Sequence, residues 1–310
     1  MDKCRNEKIH SEIVYISGKT VHKCGNTDET VPVNSITKTV TALLTGIALK
    51  RGLIESTDDR ACDYIRGYDI DDRACDYIRG YDIDERITVE RLLTMSSGID
   101  WDEKILNDRE DWIKTISERE VIEENIGKFQ YGSASSHLLG RIIQETSGML
   151  LEDFAIKYLF SPLGIEYSKE AEYIEYYIDE KPFKSFRRWD ITPEGQNAGS
   201  FALRLSAEDL LKIGKIFLGP SEFITEEFRK NAMSPKVKAE GYGYYGYQGW
   251  IKKIKGYNVY SAIGVDDKYL SIVPELELVF VMLSEVKKEQ KRAPLTKTYI
   301  SELIKYIKLA

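Results

Sequence analysis

The chain has 310 residues, of which 42% are hydrophobic and 31% are charged, a composition ordinary for a globular protein with a substantial core. The formal net charge of -7 argues against a nucleic-acid partner, whose binding needs clustered lysine and arginine. The sequence has neither a membrane-spanning apolar stretch nor a signal peptide at its start, so we predict no transmembrane segment and a cytoplasmic location.

The four cysteines are Cys4, Cys24, Cys62 and Cys75. They form no Cys-x-x-Cys pair, and no histidine lies near one of them at the spacing of metal ligands. We therefore expect no zinc site, and we expect reduced thiols in a reducing compartment.

Two elements are predicted in the first part of the chain. Residues 13–16 and 20–24 have the pattern of strands, and the Ser17-Gly18-Lys19 turn between them predicts a β-hairpin. From Ser35 to about Gly52 the apolar residues recur at helical spacing, and glycine is typical of a helix end.

Residues 58–70 and 71–83 have the same sequence, DDRACDYIRGYDI. A tandem copy of thirteen residues is too short for a solenoid, whose units must stack to bury a core, so we interpret it as a duplication. One copy should belong to the fold while the other extends a surface loop, which costs little entropy. Because the copies are identical, exchange of this segment between two chains is a route to a homodimer.

The patterns in the middle of the chain are mainly helical, and those near its end are strands. Helical spacing predicts helices over 88–97, 112–124, 137–148, 151–159 and 206–218, the last with Ser206 as N-cap. Residues 168–196 have weak periodicity, and we predict an irregular excursion there. Strands are predicted over 247–254, 257–263, 269–273 and 278–284, followed by a helix over 294–308.

Strands at both ends and helices between them predict an α+β fold. Its central antiparallel sheet would be formed by both termini and flanked by helices, with a mainly helical domain inserted. We place the sheet domain at residues 1–56 plus 220–310, and the helical domain at residues 57–219.

A serine hydroxyl becomes a good nucleophile only when a base removes its proton. For a Ser-His-Asp triad the chain offers three histidines, His10, His22 and His137, but no Gly-x-Ser-x-Gly turn. For a serine–lysine pair, Ser35 and Lys38 lie at i and i+3, on one face of the predicted helix. The start of a helix also favours developing negative charge at the serine.

The Ser-x-x-K spacing occurs a second time, at Ser284 and Lys287. That match follows a predicted strand and enters a run of charged residues, so we interpret it as solvated surface. Spacing alone therefore does not identify the nucleophile.

The segments around Ser35 favour it over Ser284 as the nucleophile. In chain order, they resemble the motifs of the class C β-lactamases and penicillin-binding proteins, with their esterase and peptidase relatives. The matching segments are residues 33–43 (VNSITKTVTAL), 87–98 (ITVERLLTMSSG), 131–133 with 138–143, 160–165 (FSPLGI) and 207–214 (AEDLLKIG). The resemblance covers residues 12–308 and implies a β-lactamase/transpeptidase-like fold with Ser35 as nucleophile and Lys38 as its base.

The resemblance also assigns the second family motif, Tyr-x-Asn or Ser-x-Asn. Its tyrosine, which shares the proton with the lysine and donates it to the leaving group, corresponds to Tyr131. Ser133 stands where the family usually has asparagine, so recognition of a substrate amide is expected to differ.

The third family motif, Lys-Thr-Gly on a strand, corresponds to Ala262-Ile263-Gly264. Gly264 would let the substrate approach the backbone, and the N–H groups of Ser35 and Val265 would form the oxyanion hole. Ala262 replaces the lysine that helps penicillin-recognising members bind a carboxylate.

Two further segments near this motif bear on the substrate. Asp266 and Asp267 are expected beside the mouth of the site, where they would repel a carboxylate, and Lys268 is a candidate to compensate them. We expect the aromatic residues of 242–250 (YGYYGYQGW) to pack strands and cover an edge, with lining of a substrate cleft as the alternative.

The sequence therefore predicts a serine hydrolase that forms an acyl-enzyme on an ester, a small amide or a D-amino-acid peptide. Its partner would be a small-molecule or short-peptide substrate, and no metal or organic cofactor is needed. Two alternatives remain: a true β-lactamase, and a non-catalytic binding or sensor protein with the same fold.

Overall fold

The computed structural model describes residues 4, 9–65, 81–103, 111–178, 181–284 and 296–310. Its strands, in chain order, are β1 (Ile9–Ile16), β2 (Lys19–Gly25), β3 (Val31–Pro32), β4 (Glu170–Ile178), β5 (Lys181–Arg187), β6 (Arg204–Leu205), β7 (Val237–Ala239), β8 (Gly243–Tyr245), β9 (Trp250–Ile254), β10 (Tyr257–Gly264), β11 (Lys268–Val273) and β12 (Leu278–Ser284). Its helices are α1 (Ile36–Lys50), α2 (Val89–Leu93), α3 (Trp112–Ser117), α4 (Ser133–Ser147), α5 (Leu151–Ala155), α6 (Ala207–Lys215), α7 (Glu226–Ala232) and α8 (Thr296–Leu309).

The predicted sheet formed by both ends of the chain is confirmed. Its strands are antiparallel, in the order β2-β1-β12-β11-β10-β9-β8-β7, and Ile13 of β1 lies opposite Val281 of β12. Strand β12 is buried on both faces, because alternate residues contribute to two different cores. One core lies against the helices inserted between the terminal strands, and the other lies under α8.

The helix that carries the candidate nucleophile is buried along most of its length. The hydroxyl-rich sequence of α1 remains compatible with burial because three of its four threonines donate to backbone carbonyls. Thr39 Oγ1 donates to the Gln248 carbonyl at 2.8 Å, Thr41 Oγ1 to the Gly199 carbonyl at 2.7 Å, and Thr45 Oγ1 to the Thr41 carbonyl at 3.0 Å. The predicted start near Ser35 and the predicted end before Gly52 agree with the structure. Helix α1 therefore holds its first turn in a defined position.

Three predicted helices have different bounds in the structure. The helix predicted over 88–97 is confined to α2, and the one predicted over 112–124 ends at Ser117 and is followed by a short 3₁₀ turn, Glu123–Asn125. Helix α4 begins at Ser133, four residues before the predicted start, and therefore directly follows Tyr131. The helix at Ser206 is confirmed, with a capping box formed by Ser206 and Asp209.

The prediction that residues 168–196 are irregular is wrong, because β4 and β5 form a two-stranded antiparallel hairpin there. Among the described residues, β4 and β5 pair with each other alone. Tyr173 and Phe186 are exposed on one face, whereas Ile174 on the other face packs against the core. The β4 sequence, EAEYIEYYI, does not alternate regularly between apolar and polar residues, and this alternation is the signal that predicts a half-buried strand.

The prediction of reduced thiols is wrong for two of the four cysteines. Cys4 and Cys24 form a disulfide whose Cα atoms are 6.1 Å apart, which ties residue 4 to strand β2. Cysteine spacing does not show which distant residues meet, so this bond had no signature in the sequence. It also removes support from the expected reducing compartment. Cys62 has a free thiol, and Cys75 lies outside the described residues.

The described residues near the duplication come from both copies. Ala61 and Ile65 of the first copy are buried, as is Ile83 of the second. Residues 66–80, which would make the expected exchange between chains, lie outside the described residues. The fold therefore uses the beginning of one copy and the end of the other.

Deleting residues 66–78 is expected to leave a folded protein of equal or greater stability. The deletion keeps every described residue and restores one complete copy of the repeat. Shortening the connection lowers the entropy lost on closing it, by about 1–2 kcal/mol for this change in length. Urea denaturation of both proteins, with size-exclusion chromatography for the oligomeric state, measures the effect. A variant that fails to fold would show that both copies are structural.

The predicted absence of a transmembrane segment was examined for the described part of the chain. None of its helices combines the length and the apolarity needed to cross a bilayer.

Candidate active site

Ser35 lies between strand β3 and helix α1, at the N-cap position of the helix. Its side chain makes no capping hydrogen bond, so the hydroxyl is available for other contacts. Asn34 precedes it with φ 50, a left-handed conformation that asparagine tolerates better than most residues. The chain therefore turns sharply at Asn34 and presents Ser35 at the start of a buried helix.

Lys38 lies one turn further along α1, with its side chain directed back to Ser35. Its Nζ is 3.2 Å from Ser35 Oγ and donates to the Ser200 carbonyl at 3.0 Å. Lys38 is only 3% exposed. The structure thus brings the two sequence-predicted residues within hydrogen-bonding distance, at a site where solvent scarcely reaches the amine.

Tyr131 lies just before α4, and its ring packs over the same lysine. The distance from Lys38 Nζ to the centre of the Tyr131 ring is 5.2 Å. Tyr131 is half-buried and stacks on Trp250, with the ring centres 5.7 Å apart and the planes at 16°. The serine, the lysine and the tyrosine therefore form one cluster, although Tyr131 is far from the others in sequence.

Gly264 ends strand β10 against the segment that precedes the nucleophile. A Cβ atom at this position would lie 2.6 Å from the Val33 carbonyl oxygen, a contact that real side chains do not make. The glycine is therefore required for the close approach of β10 to residues 33–35.

Val265 follows and is held by Asn34, whose Nδ2 donates to the Val265 carbonyl at 2.9 Å. This bond holds the backbone at Val265 against Asn34, the residue before Ser35. Val265 is 49% exposed, so the strand end is open to solvent. Ala262, on the same strand, is buried in the core.

The two acidic residues expected beside the mouth of the site are buried, so they are not open to solvent there. Asp266 and Asp267 are 9% and 3% exposed, and both have left-handed backbone in the turn between β10 and β11. Tyr269 donates to Asp267, and Ser284 Oγ donates to the Asp266 carbonyl. Lys268 is also buried and donates to the Ser284 carbonyl at 3.0 Å, so it does not take the place of a lysine at Ala262.

For the second Ser-x-x-K match, the expected solvated surface is wrong at its serine. Ser284, predicted on a solvated surface, is fully buried at the end of β12, and Lys287 lies outside the described residues.

Ser133 begins α4 and is buried, and the carboxylate of Glu103 accepts a hydrogen bond from its backbone N–H at 2.6 Å. A carboxylate at a helix start accepts a hydrogen bond from an otherwise unpaired backbone N–H, and its negative charge interacts favourably with the positive end of the helix dipole. Glu103 therefore fixes the beginning of α4, two residues after Tyr131. Its role was not predicted, because a cap from 30 residues upstream has no local pattern.

His137 also contributes to the site in a way that the sequence did not predict, since it contacts the segment that accepts a hydrogen bond from Lys38. Gly199 N donates to His137 Nδ1 at 3.4 Å, and the next residue supplies the carbonyl that accepts from Lys38. His137 Nε2 is 2.8 Å from Glu194 Oε1, and these side chains are 1% and 2% exposed. The histidine therefore positions the chain near Lys38 and is engaged by Glu194 on its other side.

The comparisons with known proteins identify the family and the fold. A model of the beta-lactamase family matches residues 11–304. A search of curated protein sequences gives no significant match.

Solved structures have the same fold at low identity. An octameric penicillin-binding protein homologue from Pyrococcus abyssi has a TM-score of 0.70 and 20% identity, over 99% of this chain and 75% of that one. EstCE1, a hydrolase with promiscuous acyltransferase activity, has a TM-score of 0.70 and 13% identity, over 97% and 95% of the two chains. A D-stereospecific amidohydrolase from a Streptomyces species has a TM-score of 0.63 and 15% identity, over 91% of each chain.

Proposed function

Because this chain belongs to the beta-lactamase family, we propose that it is a serine hydrolase that acts through an acyl-enzyme on an ester, an amide or a D-amino-acid peptide. The observation that carries the proposal is the 3.2 Å distance between Lys38 Nζ and Ser35 Oγ at the start of a buried helix. The solved structures with this fold include a hydrolase with promiscuous acyltransferase activity and a D-stereospecific amidohydrolase, which supports hydrolysis of such carbonyl compounds.

Acylation begins when Ser35 Oγ attacks the carbonyl carbon of the substrate. Lys38, in its neutral form, accepts the hydroxyl proton, and Tyr131 passes a proton to the leaving oxygen or nitrogen. The carbonyl oxygen gains negative charge, which the N–H groups of Ser35 and Val265 stabilise. The carbonyl–leaving group bond then breaks, and the acyl group remains on Ser35.

Deacylation uses the same groups in the reverse direction. A water molecule gives a proton to the Lys38–Tyr131 pair and attacks the acyl carbon, and Ser35 leaves with that proton. Ala262, Ser133 and the buried Lys268 offer little to a substrate carboxylate, so the proposal favours esters and peptides over β-lactams.

Ester hydrolysis by wild type and Ser35→Ala tests the proposal. We expect the wild type to hydrolyse a nitrophenyl ester and the variant to lose the enzyme-dependent rate, because the substitution removes the hydroxyl that lies 3.2 Å from Lys38 Nζ. Mass spectrometry after treatment with a fluorophosphonate should find the adduct on Ser35.

Equal rates for the two proteins, or an adduct at another residue, would refute the assignment of Ser35. Absence of both turnover and adduct in the wild type would favour a binding protein with the same fold. Turnover of nitrocefin at a rate above that of the ester would favour a true β-lactamase.

A further inference from the structure

Trp250, at the start of strand β9, lies at the centre of a cluster of aromatic rings. Four rings surround it, with centres at 5.1 to 5.7 Å: Phe129, Tyr131, Tyr242 and Tyr245. We call Phe129, Tyr131, Tyr242 and Trp250 the aromatic wall, because these four rings are partly or largely exposed, whereas Tyr245 is buried behind them.

The aromatic wall begins at the reacting groups. Tyr131 belongs to both the wall and the candidate active site, since its ring lies 5.2 Å from Lys38 Nζ and stacks on Trp250. Tyr242, at the outer end, is 66% exposed. An apolar surface that runs from a catalytic cluster to solvent is typical of a subsite for an apolar part of a ligand.

The neighbouring strand end, residues 262–268, offers no exposed cation with which an acidic group could pair. From residue 262 to residue 268 the one cation is Lys268, and it is buried and directed to the Ser284 carbonyl. Ala262 is apolar and buried, and the exposed Val265 adds further apolar surface. An uncharged group fits these surroundings better than a carboxylate.

From these contacts we propose that the aromatic wall binds an apolar, preferably aromatic, leaving group of an uncharged ester. This inference rests on the proposed hydrolase function. We assign the aromatic wall to the alcohol part of the ester because Tyr131, which would protonate the leaving alcohol oxygen, is itself one ring of the wall.

The bond changes make this assignment testable. The Ser35 Oγ–carbon bond forms, the bond from that carbon to the alcohol oxygen breaks, and the proton lost by Ser35 reaches the alcohol oxygen through Lys38 and Tyr131. The alcohol then leaves the wall, and the acyl-enzyme that remains is the same for every ester of one acid. Contacts with the alcohol therefore act on acylation and not on deacylation.

Three ethyl and benzyl esters separate the two sides of the substrate. Benzyl acetate and ethyl acetate differ only in the alcohol, whereas ethyl phenylacetate and ethyl acetate differ only in the acyl group. For Trp250→Ala, we expect kcat/KM for benzyl acetate to fall about tenfold and that for ethyl acetate to fall less than about threefold. Trp250→Phe, which keeps a ring, should retain most of the preference for benzyl acetate.

Phe186→Ala is the matched control, because that ring is also 66% exposed but lies on the β4–β5 hairpin against Tyr173. We expect it to change no ratio between esters. If Trp250→Ala does not fold, by circular dichroism, Tyr242→Ala at the exposed end of the wall replaces it, with an expected loss of about threefold on benzyl acetate alone.

Equal losses on the two acetates would overturn the subsite, and a loss confined to ethyl phenylacetate would overturn its assignment to the leaving group. Failure of the proposed function has a different signature, since the wild type would then show no Ser35-dependent hydrolysis of any of the three esters.

Discussion

Replacing Lys38 by methionine is expected to lower kcat/KM for a nitrophenyl ester by roughly 10³-fold or more. Methionine has a similar length and no proton acceptor of comparable basicity, so the Ser35 hydroxyl would have no base at 3.2 Å. The variant also loses the hydrogen bond to the Ser200 carbonyl. Steady-state hydrolysis, together with the rate of fluorophosphonate labelling at Ser35, measures the effect on the nucleophile.

Lys50→Met provides the control for this prediction. Lys50 ends the same helix, is exposed, and donates to the Ser221 and Glu222 carbonyls at the surface. We expect its rate to stay within about twofold of the wild type. If Lys38→Met retained the wild-type rate, another group would have to remove the proton from Ser35.

Replacing Glu194 by glutamine is expected to destabilise the fold by about 1–3 kcal/mol at neutral pH. Glu194 contacts His137 through Oε1. Its Oε2 accepts a hydrogen bond from the backbone N–H of Trp112 at 3.2 Å, so both carboxylate oxygens are used. Glutamine has a single acceptor oxygen, and one of these bonds would be replaced by two donors facing each other. Denaturation in urea measures the loss.

The same variant should flatten the pH dependence of stability on the acid side. Burial by itself raises the pKa of Glu194, but the hydrogen bonds from His137 and from backbone N–H groups prevail and hold the pKa of that carboxyl below its ordinary value of 4.5. A lowered pKa adds stability above the ordinary value, and this stability is lost as the pH falls through the folded-state pKa. The wild type should therefore lose stability below about pH 4.5, and Glu194→Gln should lose less of it over that range.

Glu123→Gln is a suitable comparison, because this glutamate is 77% exposed and pairs with Arg86 at the surface. Its loss should be less than about 1 kcal/mol. Equal pH profiles for Glu194→Gln and the wild type would show that Glu194 keeps an ordinary pKa in the folded protein.

The residues of the catalytic proposal differ in how far the sequence alone could identify them. Ser35 and Lys38 lie one turn apart on one helix, so helical periodicity is enough to place them together. Tyr131, Gly264 and Val265 were named only through the resemblance of their segments to a known family. Their distances depend on the packing of α4 and β10 around α1, and they remain assignments for the proposed experiments to test.

Other contributors had no signature in the sequence. The acceptor at Ser200 is a backbone carbonyl, which any residue type could supply. The stacking of Trp250 on Tyr131 joins residues far apart in the chain, and a tryptophan at a strand start is as typical of core packing as of a subsite. Within residues 242–250, Tyr245 and Tyr247 are buried, as the predicted strand packing requires, whereas Tyr242 is exposed, and lining of a cleft by the exposed rings stays a prediction for the ester experiment.

The main errors have a common origin. The β4–β5 hairpin, the Cys4–Cys24 disulfide and the buried turn at Asp266 and Asp267 all depend on which surfaces face solvent or meet each other. Charged and cysteine residues are ordinarily assigned to exposed or reduced positions by composition, and only the packed chain shows where they lie.

Local patterns in the chain were therefore sufficient to predict the α1 helix, the placing of Ser35 and Lys38 one turn apart on it, and the strands near both ends of the chain, whereas the choice of Ser35 as nucleophile came from the family resemblance. The spacing of apolar side chains and the presence of turn residues are properties of one short segment, so they can be recognised without knowing which other segments pack against it. The tertiary structure alone decided that Asn34 meets Val265 across 231 residues, that Lys268 turns away from the site, and that an aromatic wall adjoins Lys38. Those contacts arise from the simultaneous packing of segments distant in sequence, which no local pattern encodes.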